Sequence, residues 1–147
     1  MRPLARAVAG FLTHRAILRL LGLAVGAILI WASVDKIAHP DRFADAVHDY
    51  RMLPTAFINA FALALPWVEA VAGAALVLGV WRRAAGLVST ALCAAFLIAI
   101  AQAELRGLKI ECGCFTVSAT SGMEASWTHF CLDALLLAAA ALVWRRG

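Results

Sequence analysis

Four long apolar stretches constrain this chain more than any other feature of its sequence. They cover residues 16–34, 56–81, 84–104 and 126–144. A helix needs about 20 predominantly apolar residues to cross the hydrocarbon core of a bilayer. Each stretch is close to that length, so the sequence predicts four membrane-spanning segments.

The composition supports a membrane protein. Hydrophobic residues make up 64% of the 147 residues and charged residues 15%, whereas soluble domains average roughly 45–50% and about 25%. A domain of this size in water has too much surface to bury so many apolar side chains. The net charge of +4 comes from scattered basic residues at the edges of the apolar stretches. These features argue against a soluble enzyme, a nucleic-acid-binding protein and a disordered regulator.

The stretches predict helices. Their length and their content of Ala, Leu and Gly favour helices over the alternating strands of a membrane barrel. No linker or strong internal repeat divides the chain. The prediction is therefore an all-α, four-helix bundle in which residues 1–147 form a single membrane domain, with connecting loops at 35–54 and 105–125.

The basic residues predict the orientation of the bundle. Eight Lys and Arg residues flank the segments on the side of the two termini, including Arg82 and Arg83 in the short loop between the second and third segments, and five lie on the other side. Because cytoplasmic loops carry the excess of basic residues, we expect both termini in the cytoplasm of a bacterium and a multi-pass protein of the inner membrane. A cleaved signal peptide is the alternative interpretation of the first segment.

Two local patterns predict how the helices pack. Phe43, Val47 and Tyr50 recur at helical spacing in the loop 35–54, which predicts a short amphipathic helix at the membrane interface. Gly22 and Gly26 lie four residues apart in the first segment, a spacing that allows close approach of a neighbouring helix.

Cysteines provide the first candidate for chemistry. Cys112 and Cys114 are separated by one glycine in the loop 105–125, which the predicted orientation places in an oxidising compartment. Such a pair can close a small, strained disulfide that is easily reduced. Cys131, near the outer end of the fourth segment, is a third candidate catalytic thiol, whereas Cys93 is interpreted as a packing residue. A structural disulfide, or a Cu(I) site that includes His129, remains an alternative.

Ionisable residues inside the membrane are the second candidate, because they are costly to bury. Glu69 lies near the middle of the second segment, three residues after Pro66 and close to Trp67. A low dielectric favours the protonated acid unless a cation lies beside it. We interpret Glu69, Pro66 and Trp67 as a candidate site for the polar head of a ligand, with a structural interhelical hydrogen bond as the alternative.

His129 and Asp133 are the third candidate. They lie four residues apart in the fourth segment and therefore share one helix face. A histidine beside a carboxylate can relay protons or activate a thiol such as Cys131. A pair that caps the helix at the interface is the alternative.

Several short motifs occur in a fixed order between residues 20 and 116. They are Lys36, Pro40-Asp41-Arg42-Phe43, Leu53-Pro54, Leu65-Pro66-Trp67-Val68-Glu69, Gly73, Leu78-Gly79 and Cys112-Gly113-Cys114-Phe115. In this order the chain resembles the MauE family of methylamine utilisation, within the wider DoxX-like group of four-helix membrane proteins. Thr116 departs from the family pattern, which usually continues with glycine after the phenylalanine.

The resemblance implies thiol–disulfide chemistry during maturation of extracytoplasmic proteins, alongside a thioredoxin-like partner. The client that it implies for the family is the disulfide-rich subunit of methylamine dehydrogenase. The architecture is also similar to that of DsbB and vitamin K epoxide reductase, which pass electrons to quinone.

The leading hypothesis is therefore a membrane thiol–disulfide oxidoreductase. Cys112 and Cys114 would exchange with a periplasmic thioredoxin-fold protein, Cys131 would resolve the exchange, and electrons would pass to a quinone near Glu69. We expect lipid, a thioredoxin-like protein and a disulfide-containing client as partners, with neither nucleic acid nor a metal cofactor. Two alternatives stay open: a non-catalytic membrane scaffold with a structural disulfide, and a membrane protein that binds a soft metal through Cys and His.

Overall fold

The computed structural model describes residues 2–107 and 127–146, with side-chain surroundings described for residues 14–107 and 131–146. This part of the chain is helical and contains no strand, which confirms the all-α prediction. Its helices are α1 (Arg2–Ala38), α2 (Pro40–Asp49), α3 (Thr55–Leu78), α4 (Arg82–Leu105) and α5 (Trp127–Arg146).

Three helical stretches are long and apolar enough to cross a membrane. They are His14–Ala38, Thr55–Leu78 and Arg82–Leu105. The fourth predicted segment forms α5, whose 20 residues extend over about 30 Å, close to the thickness of a hydrocarbon core. These helices correspond to the four predicted segments.

The helix ends differ from the predicted bounds for local reasons. α1 begins well before residue 16 and continues past residue 34 to Ala38, and it ends there because the residue before Pro40 disfavours helical backbone. α3 ends at Leu78, three residues before the predicted bound of 81. Gly79 follows in the left-handed conformation (φ 72°), which terminates a helix with little strain when the residue is glycine.

The predicted amphipathic helix in the loop 35–54 is present as α2. Pro40 occupies its first turn, where a missing N–H costs nothing. Phe43 and Val47 are buried and pack with Ile58 and Ala62 of α3. The apolar face of α2 therefore contacts the bundle, where the sequence had suggested the membrane interface.

The helices form a closed ring in which α1 contacts α3, α3 contacts α4, α4 contacts α5 and α5 contacts α1. α2 packs against α3 and, less extensively, α1. Consecutive long helices run in opposite directions, so α1 and α4 end, and α3 and α5 begin, at the end of the bundle that carries α2. We call this the α2 end, and the opposite one the Arg82 end.

Small residues bring the backbones of neighbouring helices into contact toward the Arg82 end. A methyl group built on Gly26 of α1 would lie 2.6 Å from the carbonyl oxygen of Gly73 in α3. One built on Gly86 of α4 would lie 2.8 Å from the backbone nitrogen of Trp144 in α5. Of the two glycines predicted to mediate close packing, Gly26 does so, whereas Gly22 has only one neighbouring atom, at 3.9 Å.

The core between these contacts is apolar. It is formed by residues from α1, α3, α4 and α5, and close packing of their side chains holds the four helices together through dispersion contacts. Its buried members are Val25, Leu29, Leu76, Ala85, Cys93, Leu136, Ala140 and Val143.

Candidate functional site

A buried ion pair joins α1 to α3. The ammonium Nζ of Lys36 donates to both carboxylate oxygens of Glu69, at 3.0 Å from Oε2 and 3.2 Å from Oε1. The exposed fractions of the two side chains are 0% and 1%. An ammonium and a carboxylate therefore neutralise each other out of contact with the surroundings of the bundle.

Helical periodicity places both charges on buried faces. Val25, Leu29 and Ser33 precede Lys36 along the buried face of α1 at steps of three or four residues. Side chains on a helix lean toward its N-terminus, so the long stem of Lys36 extends from the last turn of α1 toward the middle of the bundle. Glu69 lies near the middle of α3, on the face that also buries Gly73.

Two aromatic rings enclose the ammonium. Its nitrogen lies 5.5 Å from the ring centroid of Phe43 on α2 and 5.1 Å from that of Phe96 on α4. A cation at such distances is attracted by the negative face of an aromatic ring, most strongly when water is absent. Lys36 thus connects α1 to α2, α3 and α4 through one carboxylate and two rings.

The pair is poorly explained as a device for stability alone. Desolvating two charges offsets much of their attraction, and well-packed hydrophobic residues of similar volume often serve as well or better. Charged groups inside a membrane are costly and mark functional sites by default. We therefore regard Lys36 and Glu69 as the centre of the candidate site.

Further polar side chains are buried in the same bundle. Ser33 of α1 donates its hydroxyl to the carbonyl oxygen of Ile30 at 2.7 Å, and Asp133 of α5 is buried. The thiol of Cys93 on α4 is also buried. Polar or ionisable groups from α1, α3, α4 and α5 are therefore buried in the bundle, although the described residues contain no group of three or more potential metal ligands.

A cavity of about 210 Å³ lies beside the ion pair, between α2, α3 and α4. Phe43 and Phe96, the two residues whose rings contact Lys36, both line it, whereas Lys36 itself does not. The remaining walls are almost entirely apolar and are formed by Val47, Tyr50, Met52, Leu53, Phe61, Leu65, Leu92, Ala95 and Ala99.

The structure separates the three residues that the sequence suggested for a ligand site. Pro66 and Glu69 are both buried on one face of α3. Trp67 is 61% exposed and lines a different surface groove together with Val71 and Trp81. The cavity between α2, α3 and α4 has none of Pro66, Trp67 and Glu69 in its walls.

The predicted thiol and relay residues fall partly outside the described residues. Cys112 and Cys114 lie in the segment that the structure does not describe, and the surroundings of the His129 side chain are likewise outside it. Cys131 is exposed near the start of α5, whereas Asp133, two residues further, is buried. The roles assigned to these residues from the sequence stay predictions.

Lys36 is the residue of the candidate site whose contact with Glu69 the sequence interpretation missed. The predicted first helix ended at residue 34, so Lys36 was counted among the charges of a loop. Its spacing of three residues from Ser33 and seven from Leu29 is the signal that places it on the buried face of α1. The sequence predicts a protonated Glu69 unless a cation lies beside it, and Lys36 is that cation.

Comparison with known proteins identifies the family. The family described as "Methylamine utilisation protein MauE" matches residues 14–146, which include the ion pair, the cavity and all four cysteines. The chain belongs to the MauE family. Three of the motifs that carry the family resemblance meet in the structure. Lys36 and the Glu69 of Leu65–Glu69 form the ion pair, and the Phe43 of Pro40–Phe43 supplies one of the two rings beside it.

Three MauE proteins are similar to the chain over most of its length. The methylamine utilization protein MauE of Paracoccus denitrificans is 33% identical over 109 residues, 74% of this chain and 59% of that protein. Those of Methylorubrum extorquens and Methylophilus methylotrophus are 36% and 35% identical over 121 residues, 80% and 82% of this chain and 63% of each relative. The chain therefore spans about three fifths of the length of these MauE relatives. No solved structure matches it.

Proposed function

We propose that this MauE-family chain is a membrane thiol–disulfide oxidoreductase that assists maturation of an extracytoplasmic, disulfide-containing protein of methylamine utilisation. The observation that carries the proposal is the family match, which includes Cys112-Gly113-Cys114 within a protein of long apolar helices. The MauE relatives from three organisms are named for methylamine utilisation. An inner-membrane location, with both termini in the cytoplasm, is part of the proposal.

The exchange would proceed through a mixed disulfide. A thiolate of a periplasmic thioredoxin-like protein attacks the Cys112–Cys114 disulfide, forms a bond to one sulfur and releases the other as a thiolate. The second thiol of the partner then attacks the partner's own sulfur in the mixed disulfide and releases the cysteine that was bonded to it, so the partner becomes oxidised and Cys112 and Cys114 become thiols. Cys131 would serve as the resolving thiol when a mixed disulfide persists.

Re-oxidation of the pair requires an electron acceptor. Formation of the Cys112–Cys114 bond releases two electrons and two protons, which a lipid-soluble quinone can accept to become a quinol. The arrangement of the helices supports this route, because α4 ends at Leu105, seven residues before Cys112, and α5 begins before Cys131. Both helices meet the α2 end of the bundle, where the ion pair and the cavity lie.

Single substitutions of the two cysteines test the exchange. We expect Cys112→Ser and Cys114→Ser each to abolish maturation of the client while the protein still inserts into the membrane. One of the two variants should accumulate a mixed disulfide with a partner, visible on non-reducing gels. Cys93→Ala is the control, because Cys93 is buried in the core and should tolerate a small apolar residue.

Thiol labelling separates this proposal from a scaffold, a metal-binding protein and a reversed orientation. In intact cells an impermeant maleimide should modify Cys112 or Cys114 after reduction, and the pair should cycle between oxidised and reduced states during client maturation. A pair that stays oxidised would indicate a structural disulfide. Protection that ends when metal is removed would indicate a metal site, and labelling only after lysis would contradict the orientation.

A further inference from the structure

The cavity at the α2 end opens toward lipid. Phe61 of α3 and Ala95 of α4 line it and are exposed at the surface of the bundle, Phe61 by 38%. Both residues lie in helices that are long and apolar enough to span a membrane. A ligand dissolved in the bilayer can therefore enter between α3 and α4 without first passing through water.

The walls of the cavity favour a flat ring. Phe43, Phe61 and Phe96 supply three phenyl rings, and aromatic ligands gain from stacked or edge-to-face contacts with such rings. Tyr50 also lines the cavity, and a phenolic hydroxyl can donate to a ligand oxygen. A saturated acyl chain would use neither the ring faces nor the hydroxyl.

The ion pair next to two of these rings adds a property that a lipid site does not need. The ammonium of Lys36 contacts Phe43 and Phe96 at 5.5 and 5.1 Å from their centroids, while both residues line the cavity. Glu69 neutralises the ammonium, so the pair acts on the cavity as a dipole, and an oriented dipole in a low dielectric can stabilise negative charge that develops on a bound group during reduction. The cavity is thus suited to a planar, apolar molecule that accepts electrons.

We propose that the cavity between α2, α3 and α4 binds the ring of a lipid-soluble quinone, against Phe43 and Phe96. This inference rests on the proposed thiol–disulfide function, which supplies the electrons. Two thiols lose two electrons and two protons and form one disulfide bond, and the quinone takes up the same electrons and protons as its two carbonyl groups become hydroxyl groups. The ligand site is then the cavity lined by Phe43 and Phe96. Trp67 lines a different groove and is not part of this site.

A substitution that fills the cavity tests the inference. Ala99 of α4 lines the cavity, and a phenylalanine side chain there would lean back toward Ala95 and occupy the space. Ala91→Phe is the matched control, because Ala91 lies on the same helix, is exposed, and lines neither this cavity nor the groove at Trp67. Ala95→Leu is a second cavity variant for use if Ala99→Phe fails to fold, as judged by gel filtration.

Binding is measured on the full chain, purified in detergent and freed of bound lipid, by equilibrium dialysis with ubiquinone-1 and with menadione. We expect at least one of these probes to bind the unmodified protein, and to bind Ala99→Phe about tenfold or more weakly, a loss of about 1.4 kcal/mol. Binding to Ala91→Phe should stay within about twofold of the unmodified protein. Failure of both probes to bind the unmodified protein, or equal binding to Ala99→Phe, would overturn the inference.

A second readout distinguishes failure of the cavity site from failure of the thiol function. In the same preparations the state of Cys112 and Cys114 is followed by alkylation after addition of each quinone. Binding that Ala99→Phe abolishes, together with thiols that never become oxidised, would support the cavity site and contradict the oxidoreductase proposal. Binding of a fatty acid to the unmodified protein but not to Ala99→Phe, with no binding of either quinone, would assign the cavity to lipid and overturn the inference.

Discussion

α1 and α3 contact each other in two ways along the same pair of helices. At Gly26 and Gly73 the backbones touch, with no side chain between them. Ten residues further along α1, the contact with α3 is made by Lys36 and Glu69, a long stem and a carboxylate that have been removed from water. The first contact suits any membrane bundle, because small residues allow helices to pack closely without a hydrophobic driving force. The second costs desolvation, and well-packed apolar residues at the same positions often stabilise a fold as well as a buried ion pair does.

The two contacts therefore serve different purposes. The glycine contact fixes the distance between the helices, and the apolar core toward the Arg82 end builds on it. The charged contact lies next to a cavity and two aromatic rings, where space and charge occur together. In this chain the residues that stabilise the fold and the residues that offer chemistry are separated along the length of the same helices.

Removing one member of the ion pair should have the largest effect on stability. Lys36→Met leaves Glu69 buried without its cation, so the acid must stay charged and unpaired or take up a proton, and we expect a loss of up to roughly 3–5 kcal/mol in the free energy of unfolding. The double variant Lys36→Met/Glu69→Met should recover most of that loss, because it removes both charges. Thermal unfolding in detergent measures the stability of the single and the double variant against that of the unmodified protein. A double variant as unstable as the single one would show that the pair contributes more than mutual neutralisation.

The glycine contact should respond to a single methyl group. Gly26→Ala places its methyl group 2.6 Å from the carbonyl oxygen of Gly73, so the helices must separate, and we expect a loss of roughly 1–3 kcal/mol. Gly22→Ala is the control, because its nearest neighbour lies 3.9 Å away. The control should be neutral or gain up to about 1 kcal/mol, since alanine favours helix over glycine. Equal losses at the two positions would contradict close packing at Gly26.

The aromatic contact with Lys36 should have the smallest effect. Phe96→Leu keeps an apolar side chain but removes the ring face, which is worth roughly 0.5–2 kcal/mol beside a desolvated cation. In the Lys36→Met/Glu69→Met background the same substitution should cost measurably less, because no cation remains. Phe61→Leu is the control, since Phe61 lines the same cavity. If Phe96→Leu lowers the free energy of unfolding equally with and without Lys36, the Phe96 ring contributes apolar packing and no cation–π contact.

The sequence predicted the elements well because their signals are local. Apolar length located the four long helices, and the spacing of Phe43 and Val47 located α2. The ion pair was not predicted, because Lys36, the partner of Glu69, lies 33 residues away in the chain and tertiary packing brings the two together. The predicted first segment ends at residue 34, four residues before α1 ends at Ala38, so the prediction places Lys36 in a loop.

The placement of Trp67 shows a second limit of prediction from sequence. Its position beside Pro66 and close to Glu69 suggested that the three residues share one ligand site, but adjacent helical residues point about 100° apart, so Pro66 is buried and Trp67 is exposed. The cavity likewise has no local signal, because its walls come from three helices and the segment between two of them. The thiol site at Cys112 and Cys114 rests on the sequence and the family alone.

Pro66 also has a consequence for motion. A proline has no N–H, so the carbonyl group of Ala62, four residues earlier in α3, lacks its usual helical donor. Helices bend most readily where such a bond is missing. The part of α3 before this point contacts α2 and lines the cavity through Phe61 and Leu65, while the part after it carries Glu69 and the glycine contact. We therefore expect α3 to bend most readily at Pro66, and a bend there would move the cavity walls formed by Phe61 and Leu65 relative to Glu69.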